Sequence, residues 1–323
     1  MKIVHSGSMI SALASATLDA VPRVPFRRAD LVAAGVSPGG LRELLAAGLL
    51  RQPLRGVLLP SDVPDTVALR AAAARLVLPG EAAVCRGTAA WLIGVDARPP
   101  GEHLRPPPLE CCVPADRSLV RREGLRCYLT DLGPVDVVEI DGVPCTTPAR
   151  TAIDLARWLM PGMGLAVLDA MARRELIVPD DLRALVERWR GERFVEQARR
   201  LIGLCDPRAE SYGESWLRLR FHDAGFPAPE LQISLTDESG RELRRLDLGY
   251  RTYRYGWEYD GEEFHLGAAA ETADRRRREG IDRRWGWTVV GVGKNLVLGP
   301  SMALEYAIGE VVGMEPQLRR RLW

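Results

Sequence analysis

The chain has no CxxC pair and no zinc-like cysteine spacing. Its six cysteines, Cys85, Cys111, Cys112, Cys127, Cys145 and Cys205, are scattered, so reduced thiols in a cytoplasmic protein are the simplest expectation. No stretch approaches the roughly 18 apolar residues that a membrane span requires, which predicts a soluble protein with no membrane partner. Near the N-terminus, Ala14-Ser15-Ala16 has the form of a signal-peptidase site. However, His5, Ser6, Gly7, Ser8 and Ser11 break any apolar h-region before it, and residues 1–26 are expected to be a flexible tail. Net charge is nearly absent as well. With 44 Lys plus Arg against 43 Asp plus Glu and a formal charge of +1, any attraction to nucleic acid must come from local patches. There is no internal repeat and no low-complexity segment.

What is present is material for a folded protein. A chain of 323 residues suits two or three domains, and 46% hydrophobic with 27% charged residues is the balance of a soluble globular chain. Basic residues gather toward the C-terminus as Arg275 to Arg278, Arg283 with Arg284, and Arg319 to Arg321.

Residues 27–60 read as helix, helix, wing. Ala29 to Ala34 gives one short helix, and Ser37 caps a second with Pro38 at its first position. Leu41, Leu44 and Leu45 supply its buried stripe, Gly48 ends it, and Leu54 to Leu59 with Arg55-Gly56 forms a hairpin. Ala-rich helices around 71–76 and 88–93 extend this unit to residue 98. A Pro-rich linker follows, with Pro99, Pro100 and Pro106 to Pro108. Residues 109–205 are expected to hold a few strands up to Val143. Helices follow over 147–159, 165–173, 179–189 and 194–204, the first opened by Thr147-Pro148. From Glu210 the pattern becomes helix, three strands, helix, strand, helix, which predicts an α/β layer over 208–312 ahead of a basic tail, 313–323. The fold class is therefore α+β: a winged helix and helical middle region, then a C-terminal mixed sheet flanked by helices.

The chemistry is carried by acids on strands. In Leu246-Asp247-Leu248-Gly249-Tyr250, period-two alternation puts Leu246, Leu248 and Tyr250 on one face and Asp247 on the other. In the next strand Tyr255, Trp257 and Tyr259 share a face, and Glu258 and Asp260 point away from it. Paired as a hairpin across Arg251 to Arg254, the strands gather Asp247, Glu258 and Asp260 on one side. Such a cluster suits Mg²⁺ or Mn²⁺, which takes carboxylates, water and phosphate and activates an attacking water. The same residues also describe the solvent face of an antiparallel pair. Glu214 either closes a capping box with Ser211 or adds a helix-borne carboxylate. His265 is a general base or a loop residue. Arg277 either pairs with Asp274 or contacts phosphate.

Taken together, Glu210-Ser211-x-x-Glu214, Pro229-x-x-Gln232, Leu246-Asp247-Leu248, Glu258-Tyr259-Asp260-Gly261, His265, Asp274-x-x-Arg277 and Gly286-Trp287-x-Val289-Val290 resemble the very-short-patch-repair-endonuclease-like branch of the PD-(D/E)XK nucleases. That resemblance covers about residues 208–312 and implies a restriction-endonuclease-like mixed sheet. It also implies Asp247 and Glu258 as metal ligands, Glu214 as a third, and His265 near the site. One departure is Asp260, which stands where the broad superfamily has lysine, so the water-orienting cation comes from elsewhere or is absent. Residues 27–60 resemble the winged helix of abortive-infection antitoxins, with Arg42 on the second helix and Arg51 and Arg55 on or near the wing. Either Arg42 and Arg55 contact DNA, or the unit serves packing or protein contact.

Two functions follow as expectations. One is Mg²⁺-dependent hydrolysis of DNA phosphodiesters, in defence or repair, with Asp247, Glu258, Asp260 and His265 catalytic. The other is an antitoxin-like DNA-binding transcriptional regulator with an inactive nuclease fold. A toxin or other defence-system partner would bind the middle helices.

Overall fold

The computed structural model describes residues 21–33, 35–98, 106–261, 267–318 and 320, with only the backbone described over 267–274. It divides between Thr151 and Ala152 into two units. No helix among the described residues is long and apolar enough to cross a membrane.

The first unit begins with β1 (Phe26–Arg27), α1 (Arg28–Ala33), α2 (Pro38–Ala46), β2 (Leu50–Leu54) and β3 (Val57–Pro60). Ser37 caps α2 by accepting the Gly40 N–H at 3.1 Å, and Pro38 needs no donor there. Leu41 and Leu44 are buried on the inner face of α2. The strands form an antiparallel sheet in the order β1-β3-β2. The β2–β3 turn passes through Gly56 at φ 84°, a left-handed conformation that glycine adopts without strain. This core also takes in Val21 and Phe26, so the expected tail of residues 1–26 ends earlier than predicted. Single apolar residues among Pro and Arg carry no period from which to read a strand.

Next come α3 (Val67–Val77), β4 (Ala83–Val84), α4 (Arg86–Leu92), β5 (Leu109–Val113), β6 (Leu125–Leu129), β7 (Val137–Ile140) and β8 (Val143–Thr146). The mixed sheet runs β6-β5-β4-β8-β7. β4 sits at its centre, antiparallel to β5 and parallel to β8, which overturns the expected boundary between a domain ending at 98 and another starting at 109. A two-residue strand inside an Ala-rich run gives no alternation to detect.

Helix α5 (Pro148–Trp158) crosses the division. The second unit continues with α6 (Pro161–Arg173), α7 (Pro179–Leu185), a 3₁₀ turn over Val186–Trp189, and α8 (Val195–Leu204). α6 starts one turn earlier than predicted. Gly162 and Gly164 in this added turn allow close approach: a Cβ on Gly162 would stand 2.5 Å from the Trp216 ring, and one on Gly164 would stand 2.8 Å from Leu201.

The rest of the unit is α9 (Tyr212–Asp223), β9 (Glu230–Thr236), β10 (Glu242–Tyr250), β11 (Tyr255–Asp260), α10 (Gly267–Trp285), β12 (Thr288–Gly293), α11 (Lys294–Leu298) and α12 (Ala303–Val312). The sheet order is β12-β11-β10-β9, with β9, β10 and β11 antiparallel and β12 parallel to β11. This is the expected mixed sheet with helices packed on it. Leu217 and Phe221 of α9 pack on Leu248, Tyr250, Trp257 and Val292, with Phe221 and Trp257 edge to face at 5.0 Å between centroids. A second cluster joins Ile233, Leu235 and Leu246 to Ile281 of α10, Trp287 and Val289. Leu246 and Leu248 were expected on one face and belong instead to different clusters. Beside them, Gln232 of β9 takes φ 52°, and this local break in the pleat ends strict alternation at Asp247. Arg220 and Glu305, both fully buried, tie α9 to α12 through an Nε–Oε1 hydrogen bond of 2.6 Å.

Candidate functional site

The break at Gln232 and Asp247 gathers the acids of the second unit. Asp247 Oδ2 accepts the Tyr259 backbone N–H at 2.8 Å, which holds it beside the strand carrying Glu258 and Asp260. On the α9 side, Ser211 caps the helix through the Glu214 N–H at 3.1 Å. Glu214 turns back so that its Oε2 accepts the Glu210 N–H at 2.9 Å and the Gln232 side-chain amide at 2.8 Å. Only half of the expected capping box is seen, since Ser211 caps Glu214 while the Glu214 carboxylate takes the N–H of Glu210, one residue before the cap, and its charge acts on Asp247. Gly213 is required beneath the Tyr259 ring, which occupies the space a Cβ would need.

This grouping raises the cost of ionisation. Burial, and next the charge of Glu214, push the Asp247 carboxyl up to about 7. The Tyr259 N–H opposes the shift, and Glu258 and Asp260 add to it. Glu214 is also raised, first by burial.

The balancing charge comes from α10. Arg277 grips buried Glu258 with two hydrogen bonds, 3.0 Å to Oε1 and 2.7 Å to Oε2, the strong fork geometry of guanidinium and carboxylate. Arg278 reaches Asp260 Oδ2 at 3.0 Å, and the pair lies across Gly291, where a Cβ would collide with both side chains. The expectation of a phosphate-facing Arg277 thus meets a guanidinium engaged with Glu258. Among the described residues, no three carboxylate, thiol or imidazole groups converge as a metal-ligand set. As placed, these residues fit guanidinium counter-ions better than a resident Mg²⁺ or Mn²⁺. His265 lies outside the described residues, as does the side chain of Asp274.

In the first unit Arg42 is exposed on α2, its Nε donating to the Pro38 carbonyl at 3.3 Å. Arg55 is exposed at the hairpin turn, with its backbone N–H bonded to the Pro107 carbonyl at 2.9 Å. Arg51 is turned inward to the Val63 carbonyl at 2.9 Å. The sequence reading under-weighted Gln232, Arg278 and Gly291. Gln232 entered only within a resemblance motif and Arg278 only within the run Arg275 to Arg278, while Gly291 left a signal as a glycine interrupting the run Val289-Val290-Gly291-Val292.

Residues 82–204 match the model of the AbiEi antitoxin C-terminal domain family. Two curated relatives, the uncharacterized proteins MT2308 of Mycobacterium tuberculosis strain CDC 1551 / Oshkosh and Rv2248 of strain ATCC 25618 / H37Rv, are each 33% identical over 237 residues. Each alignment covers 71% of this chain and 80% of the relative.

Proposed function

We propose that this chain, which belongs to the same family as these two mycobacterial proteins, is an antitoxin-like DNA-binding regulator. The observation that carries the reading is the match of residues 82–204 to the AbiEi antitoxin C-terminal domain, preceded in the chain by the helix, helix, hairpin unit over 28–60. In this reading α2 enters the major groove of duplex DNA with Arg42 exposed upon it, and Arg55 at the wing contacts phosphate. A toxin is the partner that the antitoxin match suggests. The C-terminal sheet, whose sequence motifs resemble those of PD-(D/E)XK nucleases, serves in this reading as a scaffold whose acids Glu258 and Asp260 are engaged by Arg277 and Arg278.

Selection of bound sequences from a random duplex library tests this. A defined motif should be enriched, and Arg42→Ala should weaken binding to it. A wild type that enriches no motif refutes the reading.

A second reading is favoured by the placement of the acids, Asp247 held beside the Glu258–Asp260 strand by the Tyr259 N–H and Glu214 turned toward β9 by Gln232. Under it the chain would be a metal-dependent endonuclease in which Asp247, Glu258 and Glu214 would hold Mg²⁺ or Mn²⁺, an ion that would polarise a phosphate and acidify a water. Asp247 and Glu258 would then orient the ion, with His265 or Asp260 assisting the water's proton. Arg277 must leave Glu258 for this to occur. Nicking of supercoiled plasmid with Mn²⁺, abolished by Asp247→Asn, is the result that would favour it.

A further inference from the structure

Trp158, the last residue of α5, and Phe194, immediately before α8, leave 41% and 46% of their surface exposed. They meet edge to face, with centroids 5.1 Å apart and planes at 77°. Phe194 holds φ 61°, a left-handed conformation that glycine takes freely and a phenylalanine does not. Its ring is not buried in compensation. A strained backbone carrying an exposed aromatic ring is the kind of outlier that accompanies function.

The surrounding charge is one-sided. Glu192 accepts from Arg157 at 2.7 Å. Glu187 takes two hydrogen bonds from Arg199, both 2.8 Å, and Glu196 is bonded to Arg199 as well. The carboxylates of the segment are thus engaged from within. Arg190 and Arg193 are exposed and make no contact ion pair with any described residue, although the Arg190 charge acts at longer range on Glu187. The Arg193 guanidinium lies 5.2 Å from the Phe194 ring centroid.

We propose that Trp158 and Phe194, flanked by Arg190 and Arg193, form a binding platform for single-stranded nucleic acid. Exposed rings stack on bases without regard to sequence, and adjacent guanidiniums attract the phosphates. A protein-docking face would instead present a broad continuous apolar patch, whereas here the exposed apolar residues are the two rings and Met160, two positions after Trp158, and arginines flank them. The platform is independent of the duplex-binding reading, which rests on the first unit.

The test is anisotropy of a fluorescein-labelled oligothymidylate titrated with the full chain in EDTA. Trp158→Ala and Phe194→Gly should each weaken binding about tenfold, the loss expected for one stacked base. Phe194→Gly guards against misfolding, because glycine relaxes the φ 61° backbone and its melting temperature should match or exceed that of the wild type. Replacing Arg190 and Arg193 with Gln should flatten the salt dependence by about 0.7 per charge, and duplex affinity should be unaffected in all variants. Unchanged oligothymidylate affinity in Phe194→Gly, or no binding by the wild type, overturns the proposal. In the latter case the ring pair would be left as a protein contact.

Discussion

Asp247→Asn isolates the electrostatics of the acid cluster. A carboxyl moved from its ordinary value of 3.8 to about 7 corresponds to about 4 kcal/mol of disfavoured ionisation, and to about 2 kcal/mol if water entry halves the effect. Because the folded value lies above the unfolded one, the folded protein binds the extra proton between about pH 4 and pH 7. The contribution of Asp247 to stability is therefore fully present below about pH 4 and is lost as pH rises through 7. Asparagine keeps an oxygen for the Tyr259 N–H and nearly the same volume, so the geometry survives while the titration is removed. The assay is urea unfolding of wild type and variant from pH 4 to 8. The difference between the two should be near zero at pH 4 and grow to about 2 to 4 kcal/mol in favour of the variant at pH 8. Parallel stability profiles across that range would refute the claim that Asp247 is buried among like charges.

Three further outcomes follow from the same unit. Trp257→Ala removes a ring packed on Phe221 and should destabilise by about 3 to 5 kcal/mol in urea unfolding; a loss below about 1 kcal/mol would show that the ring is not in a core. Arg220→Met leaves Glu305 buried and uncompensated and should lose about 3 to 5 kcal/mol, most of it recovered in the double variant with Glu305→Met. Failure of the double variant to recover would place the loss in packing. Arg277→Gln should lose about 1 to 3 kcal/mol by stranding Glu258 and should acquire a thermal shift with Mn²⁺ that the wild type lacks. An equal Mn²⁺ response in the wild type would mean that the guanidinium does not act as the counter-ion.

Legibility in the sequence followed local periodicity. The aromatic face of β11 could be read because Tyr255, Trp257 and Tyr259 alternate with Gly256, Glu258 and Asp260. α2 could be read because Ser37-Pro38 is a helix start written in adjacent residues. What escaped depends on tertiary contact. The turn at Gln232 that separates Leu246 from Leu248 has no marker, since a left-handed glutamine is set by its amide bond to Glu214 rather than by propensity. β4 is too short to alternate. The pairing of Arg277 with Glu258 was hidden because four successive arginines, 275 to 278, look alike until the helix packs and brings two of them over the strand acids.

The most direct test of the central claim is a gel-shift titration of the full chain on its selected duplex, run in EDTA and repeated in Mg²⁺ and in Mn²⁺ with the DNA recovered and sized. A regulator of this kind should shift the selected duplex in preference to a scrambled one in all three conditions, lose that preference with Arg42→Ala, and return the DNA intact. Cation-dependent cleavage that disappears in Asp247→Asn, or a shift with no preference for the selected sequence, would contradict it.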